Sequence, residues 1–229
     1  LDLLHGAPER AATELYEKHG VNAGILSALE KKGLVERFAQ EFYRAPEGDA
    51  DERAANKHRL NAEQQEAFDA IVSALEAEEY RCFLLRGITG SGKTEVYLQA
   101  IERALAIGRD AILLVPEISL TPQTVGRFKA RFREDIAVLH SGLSRGERYD
   151  EWRRALRGEV RIVVGARSAV FAPLPNVGAI VVDEEHDNSY KQGDTPRYHA
   201  RDVAIMRAKM GNAACVLGSA TPSIEAYHN

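Results

Sequence analysis

Residues 82–94 decide the fold, and they are Cys-Phe-Leu-Leu-Arg-Gly-Ile-Thr-Gly-Ser-Gly-Lys-Thr. The apolar run at 82–85 predicts a short strand, and the segment after it fits the pattern G-x-x-x-x-G-K-[ST] and opens a helix. Glycines let successive backbone N–H groups curl around phosphate oxygens, and the helix N-terminus adds partial positive charge. The sequence therefore predicts a phosphate-binding loop (P-loop) of a nucleoside triphosphate site. Its predicted contact residues are Gly87, Thr89, Gly90, Ser91, Gly92, Lys93 and Thr94.

A second acidic segment completes the predicted site. Within the loop, Lys93 can reach the β and γ phosphates, and the Thr94 hydroxyl can ligate Mg²⁺. The apolar run 179–182 leads into Asp183 and Glu184, at the carboxyl end of a predicted strand, where doubly wound sheets bind their ligands. We expect Asp183 to hold the Mg²⁺ and Glu184 to orient or deprotonate the attacking water. The neighbouring His186, taken alone, is more typical of a structural histidine.

Short apolar strands alternate with helices from residue 60 onward. This alternation predicts an α/β fold with a mostly parallel sheet covered by helices on both faces. The predicted strands are Arg81–Arg86, Ala111–Val115, Ile136–Leu139, Val160–Val164, Ala179–Asp183 and Ala213–Leu217.

Residues 1–44 follow a different plan. Apolar positions at helical spacing before Gly20, a second helix capped by Asn22 and ending at Gly33, and an extended segment at 34–43 indicate a small winged-helix (helix-turn-helix) module. Such a module either contacts DNA or serves as a packing or protein-docking unit, and the pattern leaves both open. Residues 45–59 are polar and predict a linker.

Composition sets further bounds. The 229 residues carry a formal net charge of −4, which argues against a generally basic nucleic-acid coat protein but not against a local basic track. No apolar run approaches the ~20 residues that a membrane span needs, and no signal segment opens the chain, so we expect a cytoplasmic protein without membrane contact. The two cysteines, Cys82 and Cys215, lie in apolar runs and predict reduced core packing. The chain begins at Leu1 rather than methionine, and we expect it to be part of a longer protein.

The order of these segments resembles the superfamily 2 helicases, and among them the PriA-type primosomal helicases of bacterial replication restart. The resemblance covers residues 60 to 229 and includes strings more specific than a P-loop. They are Leu-Asn-Ala-Glu-Gln (60–64), Leu-Val-Pro-Glu-Ile-Ser-Leu-Thr-Pro-Gln (114–123), Leu-His-Ser-Gly-Leu-Ser (139–144), Gly-Ala-Arg-Ser-Ala-Val-Phe-Ala-Pro (165–173), Asp-Glu-Glu-His-Asp (183–187), Pro-Arg-Tyr-His-Ala-Arg-Asp (196–202) and Gly-Ser-Ala-Thr-Pro-Ser (218–223).

The resemblance implies a fold and an activity. Residues 60–229 would form the first RecA-like motor lobe of an ATP-dependent 3′-to-5′ DNA helicase that acts at stalled or abandoned forks, using ATP and Mg²⁺. Its partners would be forked and single-stranded DNA, single-stranded DNA-binding protein and other primosome proteins. The second motor lobe and the zinc-binding insertion of the family are absent from the 229 residues, so we expect this chain to bind ATP and DNA but to hydrolyse ATP weakly.

The resemblance also assigns residues to roles. DNA contacts would come from Thr121, Gln123, Arg167, Ser168, Tyr190, Lys191, Arg197 and Tyr198. Coupling of nucleotide state to DNA would involve His186, Ser219 and Thr221. Aromatic rings of the loop after Asp183 would stack on unpaired bases while its Lys and Arg residues follow phosphates.

Several of these residues also fit simpler roles. Gln64 would bind the adenine edge by resemblance, yet Asn61 and Gln64 also match a capping box. Thr121-Pro122 and Thr221-Pro222 each match a helix cap followed by proline at the first helical position. The segment from Arg127 to Arg167 contains eleven lysines and arginines but only six acidic residues. This local excess of positive charge fits either a path for nucleic-acid phosphates or solvated helix faces.

Two other functions compete with the helicase hypothesis. One is a P-loop kinase acting on a small molecule, and the other is a non-catalytic DNA-binding module carried by the winged helix. The helix-turn-helix pattern and the aromatic-basic loop after Asp183 favour the helicase over the kinase.

Overall fold

A six-stranded parallel sheet forms the centre of the computed structural model, which describes residues 12–37 and 58–228. The strand order is β1-β8-β5-β2-β4-β3, and a separate antiparallel pair is formed by β6 and β7. The strands are β1 (Arg81–Arg86), β2 (Asp110–Leu114), β3 (Ile136–Leu139), β4 (Ile162–Gly165), β5 (Val177–Val182), β6 (Lys191–Gln192), β7 (Tyr198–His199) and β8 (Ala214–Ser219). The predicted parallel α/β sheet is confirmed.

The helices of the described residues lie before, between and after these strands. They are α1 (Ala12–His19), α2 (Ala23–Lys31), α3 (Ala62–Glu76), α4 (Lys93–Ala106), α5 (Pro122–Phe132), α6 (Arg145–Leu156), α7 (Ala200–Met210) and α8 (Ile224–His228). Within residues 12–37 and 58–228, four short 3₁₀ turns lie at Glu117–Ser119, Arg133–Asp135, Arg167–Phe171 and Asn188–Tyr190. Among the residues described, no helix is both long and apolar enough to cross a membrane.

Helices cover both faces of the sheet, as predicted. Successive residues of a strand point to opposite faces, so neighbouring side chains enter different cores. Leu113 packs with α3, α4 and α5 on one face, whereas Ile112 packs with α6 and α7 on the other. Both faces are apolar because every strand between the edges is buried on two sides.

Cap residues set the beginnings of several helices. The Asn22 side chain accepts from the Ile25 amide at the start of α2, and Thr121 accepts from the Thr124 amide at the start of α5, with proline at the next position. The capping predicted at Thr221 is wrong, because Ser223 caps α8 by accepting from the Ala226 amide.

The chain divides into two compact units, Leu1–Phe42 and Tyr43–Asn229. The first contains α1 and α2, the two predicted helices, while residues 34–37 form no strand and the rest of the predicted wing lies outside the described residues. Most of the predicted linker, residues 45–57, also lies outside them. The winged-helix assignment therefore stays a prediction.

The two cysteines differ in environment. Cys215 on β8 is buried as predicted, but Cys82 on β1 is exposed. The core position predicted for Cys82 is wrong because β1 lies at the edge of the sheet, with no strand of the described residues on its outer side.

Candidate nucleotide-binding site

The P-loop leaves the carboxyl end of β1 and leads directly into α4. Gly90 and Gly92 have φ values of 81° and 82°, in the left-handed region where a side chain would be strained. Gly92 occupies the N-cap of α4 without any side-chain cap, so the first amides of this helix point into the loop. This arrangement has the shape and the partial positive charge of an anion cradle.

The Lys93 side chain lies against the P-loop and does not extend into solvent. Its side chain is only 8% exposed, and Nζ lies 2.7 Å from the Gly87 carbonyl oxygen and 3.8 Å from Oε1 of Glu184. Lys93 and Glu184 come from segments that are 91 positions apart in sequence, so the fold brings together the loop cation and the predicted catalytic acid. Both predicted residues are therefore neighbours.

The acidic residues follow β5, which is separated from β1 only by β8. Burial, together with the negative charge of Glu184, raises the pKa of the Asp183 carboxyl, and the Lys93 ammonium partly offsets this. Glu184 has a φ of 46°, an unusual left-handed conformation for a residue with a side chain. Strain of this kind concentrates at functional sites, where the surrounding structure holds the residue in place.

Two buried tyrosines surround Asp183. Tyr190 Oη donates to the Asp183 carbonyl oxygen at 2.7 Å, and its ring is fully buried. The hydroxyl of Tyr97 is also buried and interacts with the Asp183 side chain, although no hydrogen bond of normal geometry joins it to any described residue. Burial and the nearby Asp183 charge raise the pKa of both phenols well above their usual range. Tyr97 also requires the glycine at 218, because a Cβ there would overlap with its hydroxyl oxygen.

The three residues predicted to couple nucleotide state to DNA lie together. Nδ1 of His186 is 2.8 Å from Oγ of Ser219, and Nε2 of His186 is 3.3 Å from Oγ1 of Thr221. Glu184 Oε2 lies 3.7 Å from the same imidazole. A continuous polar chain therefore runs from Lys93 through Glu184 and His186 to the end of β8.

Glu185 is a residue whose importance sequence reasoning missed. Its carboxylate is fully buried, accepts from the amide and hydroxyl of Ser223, and pairs with Arg201 at 3.1 Å. These contacts tie the acidic segment to the start of α7 and to the residues after β8. The sequence offered a weak signal, because both Arg201 and Ser223 belong to the strings that carry the helicase resemblance.

Gln64 uses both ends of its side-chain amide. Oε1 accepts from the Asn61 amide at 2.8 Å, which completes the predicted capping box at the start of α3. Nε2 donates to the Ser91 carbonyl oxygen at 2.7 Å, so the same side chain holds the P-loop. The capping role is confirmed, and the adenine contact stays a prediction.

The predicted DNA-contact residues lie beyond the carboxyl ends of the strands. Thr121, Gln123 and Ser168 are exposed on the segments after β2 and β4. Arg167 is half-buried and donates to the Lys191 carbonyl oxygen at 2.8 Å, which fastens the loop after Asp183 to the segment after β4. These positions lie at the carboxyl ends of the parallel strands, the same end of the sheet at which the P-loop lies.

The loop after Asp183 differs in part from the prediction. Lys191 and Arg197 are exposed, and the Tyr198 ring packs edge-on against Phe171 with ring centroids 5.1 Å apart. The base-stacking role predicted for Tyr190 is wrong in this structure, because the ring is fully buried and its hydroxyl is bonded to the Asp183 backbone.

The described residues fit a nucleoside triphosphate with a magnesium ion. Lys93 and the α4 amides would suit phosphate oxygens, and Asp183 with the Thr94 hydroxyl would supply the hard oxygen ligands that Mg²⁺ prefers. No cluster of three or more His, Cys, Asp or Glu side chains arranged for a metal occurs in the parts described, residues 12–37 and 58–228. Mg²⁺ takes few protein ligands and completes its shell with water and phosphate, so two oxygen ligands would be enough to hold it.

The fold and the site together define a P-loop nucleotide-binding lobe. The model of the DEAD/DEAH box helicase family matches residues 61–229, which is most of the chain. The protein belongs to the DEAD/DEAH box helicase family. Membership implies the use of ATP and Mg²⁺.

Curated relatives share much of the sequence. The chain is 54% identical over 216 residues to the replication restart protein PriA of Bacillus subtilis (strain 168), covering 94% of this chain and 27% of that protein. It is 48% identical over 211 residues to PriA of Synechocystis sp. (strain ATCC 27184 / PCC 6803 / Kazusa), covering 90% of this chain and 24% of that protein. The resemblance to PriA-type helicases is confirmed, and the chain spans about a quarter of the length of these relatives.

Solved structures share the fold. RecG bound to a three-way DNA junction matches with a TM-score of 0.55 at 21% identity, covering 77% of this chain and 23% of that one. The Pyrococcus furiosus Hef helicase domain matches with a TM-score of 0.51 at 22% identity, covering 73% of this chain and 34% of that one. The predicted RecA-like lobe is therefore confirmed as the fold of the larger unit.

Proposed function

We propose that this chain carries the ATP-binding motor lobe of a 3′-to-5′ DNA helicase that acts in replication restart. The observation that carries this proposal is the approach of Lys93 to Glu184, at 3.8 Å, across the carboxyl edge of the sheet. A phosphate-gripping lysine beside an acid that can orient water is the arrangement that phosphoryl transfer requires. The PriA relatives supply the biological setting.

In this proposal the ATP site is divided between two strand ends. The loop residues Gly87 to Thr94 hold the phosphates, Lys93 neutralises the charge that develops on them, and Gln64 holds the loop and the adenine edge. Asp183 and Thr94 hold Mg²⁺, which bridges phosphate oxygens when bound. Glu184 orients or deprotonates the attacking water.

DNA would lie along the same edge of the sheet. The exposed Thr121, Gln123 and Ser168, with Arg167, would contact the backbone of a single strand, and Lys191 and Arg197 would follow its phosphates. The polar contacts from Glu184 through His186 to Ser219 and Thr221 would couple the presence or absence of the γ-phosphate to this DNA-binding surface. The solved RecG complex shows a related fold on a DNA junction.

The wider setting follows from the relatives. Forked DNA, single-stranded DNA-binding protein and other primosome proteins are the partners we propose, in the cytoplasm, with residues 1–44 as a winged-helix module and 45–59 as its linker. By resemblance to the family, we propose that a zinc site is formed by the zinc-binding insertion of such a helicase and not by the ATP-binding lobe. We propose that this lobe alone binds ATP and DNA but turns ATP over slowly.

Binding of a fluorescent ATP analogue with Mg²⁺, with and without a forked or single-stranded oligonucleotide, tests the proposal. We expect single-stranded DNA to tighten nucleotide binding and Lys93→Ala to weaken it by about tenfold or more, since a charge-assisted phosphate contact is lost. Lys209→Ala is the matched control, because Lys209 is exposed at the far end of α7. Equal affinity of Lys93→Ala and the wild type would overturn the ATP site, and an absence of any DNA effect would overturn the motor role.

A further inference from the structure

The outer face of α6 presents basic and aromatic side chains one helical turn apart. Arg145, Arg148, Tyr149 and Trp152 line a shallow groove of about 260 Å³, called here the α6 groove. Residues three and four apart on a helix are surface neighbours, so these four side chains form a single stripe. None of them belongs to the ATP site or to the DNA-contact residues named above.

The acids of α6 are turned away from this stripe. Asp150 and Glu151 are buried, and Glu151 accepts from the Val138 amide and pairs with Arg154. Glu147 accepts from the Ser144 amide in the capping box at the start of the helix. The groove therefore has a positive face, although the whole chain carries a net charge of −4.

The aromatic side chains of the groove are available for contact. Tyr149 is 59% exposed, and the guanidinium of Arg153 lies 5.3 Å from its ring centroid in a cation–π contact. Trp152 packs partly against the core that lies on this side of the sheet, so its position is fixed by the fold. A fixed indole beside an exposed phenol and two arginines combines stacking surfaces with phosphate-binding charges.

The topology places the groove beside the proposed DNA path. Helix α6 begins shortly after the carboxyl end of β3, and β3 neighbours β4, which is followed by Arg167 and Ser168. All parallel strands of the sheet end at the same edge, so the first turn of α6 lies on the side where the P-loop and Thr121 are found. A strand of nucleic acid that follows this edge outward reaches Arg145 next.

We propose that the α6 groove binds single-stranded nucleic acid, with Tyr149 and Trp152 stacking on bases and Arg145 and Arg148 contacting phosphates. It is a second contact surface, separate from the segments that couple to ATP. An acidic peptide would use the two arginines but would leave the stacking surfaces without a matched partner. The pairing of aromatic rings with arginines therefore favours nucleic acid.

The chain contains a single tryptophan, so fluorescence of Trp152 reports on this groove alone. We expect an oligothymidine titrated into the full chain without nucleotide to quench this fluorescence. Tyr149→Ala should raise the apparent Kd about fivefold or more, since one stacking surface is lost. Arg148→Ala should also lower the slope of log Kd against log salt concentration by about 0.7, because one phosphate contact is removed.

Lys209→Ala, which removes an exposed charge at the opposite edge of the sheet, should leave both quantities unchanged. Circular dichroism of each variant should match the wild type, since the substituted side chains face solvent. Absence of quenching, or an unchanged Kd in both Tyr149→Ala and Arg148→Ala, overturns the inference. Quenching by an acidic, aromatic-containing peptide but not by oligothymidine would overturn it in favour of a protein partner.

The result separates this inference from the proposed function. Should DNA tighten nucleotide binding while Trp152 stays unquenched, the groove inference fails and the motor proposal stands. Quenching that persists without any effect of DNA on nucleotide binding supports the groove and contradicts the motor role.

Discussion

The guanidinium of Arg201 lies 3.1 Å from the carboxylate of Glu185, which is completely shielded from solvent. Glu185 stands next to Glu184, the proposed catalytic acid, and its amide donates to the Gly218 carbonyl oxygen at 2.9 Å. A buried charge with its partner removed is strongly destabilising, because the remaining charge is desolvated without a counter-ion. This ion pair therefore fixes the backbone on which the acidic segment rests.

Arg201→Met should lower the free energy of unfolding by about 3 kcal/mol or more, since it leaves the Glu185 carboxylate buried with its hydroxyl and amide donors alone. Chemical denaturation measures the change. Arg103→Met is the matched control, because Arg103 pairs with Glu76 at the surface, where each side chain is nearly half exposed, and its loss should cost about 1 kcal/mol at most. Equal losses in the two variants would show that the Glu185 pair contributes no more than a surface contact.

The two buried tyrosines beside Asp183 should respond differently to loss of the hydroxyl. Tyr190→Phe removes a donor to the Asp183 carbonyl oxygen and should cost about 1 kcal/mol or more of unfolding free energy. Tyr97→Phe removes a buried hydroxyl that interacts with Asp183 without a hydrogen bond of normal geometry, and should cost less than Tyr190→Phe. Denaturant midpoints of the two variants, compared at equal slope, decide the matter; a larger loss in Tyr97→Phe would contradict this assignment.

Asn61 and Gln64 share the capping box but differ in their contact with the P-loop. Asn61→Ala and Gln64→Ala should each reduce stability by about 1 kcal/mol through loss of the cap. Only Gln64→Ala should also weaken nucleotide binding, since it frees the Ser91 carbonyl oxygen and loosens the loop. Titration with the fluorescent ATP analogue separates the two effects, and a matching loss of affinity in Asn61→Ala would show that the cap alone matters.

The environment of His199 predicts a particular pH dependence of the unfolding free energy. Burial, and then the charge of Arg201, lower the pKa of the His199 imidazole below its ordinary 6.5. Between the lowered pKa and 6.5 the unfolded chain binds more protons, so the unfolding free energy should rise with pH across this window and be lost as pH falls through it.

The variant His199→Asn keeps an acceptor for the Arg201 amide but does not titrate in this range. Subtracting its stability profile from that of the wild type isolates the contribution of His199. A difference that stays flat below pH 6.5, or that slopes the other way, would contradict the lowered pKa.

Local pattern accounts for much of the fold. Strands β1 and β3 begin and end at the predicted residues, because each is a short apolar run bounded by polar side chains or turns. The other four strands of the large sheet shift by one or two residues, since the register is set by neighbouring strands rather than by the run itself. The caps at Asn22 and Thr121 were predictable because they depend on contacts three residues apart.

Long-range contacts account for what the sequence could not reveal. Nothing local distinguishes Glu185 from Glu184, and the inward orientation of Glu185 depends on Arg201 and Ser223, which follow 16 and 38 positions later. The burial of Tyr190 also depends on long-range packing against the sheet, so its position in a predicted loop indicated an exposed aromatic side chain instead. The type of a residue predicts the chemistry that its side chain can perform. Its burial in the fold determines whether that side chain contacts a ligand or a neighbouring residue.

The position of β1 at the sheet edge has a consequence for motion. The P-loop is joined to a strand that has one hydrogen-bonded neighbour among the described strands, whereas Asp183 follows β5, which has two. Strands at an edge open with a smaller free energy than strands at the centre. Lys93 therefore follows a strand that opens more easily, whereas Asp183 follows a strand that opens less easily. Amide hydrogens of β1 should exchange with solvent sooner than those of β5.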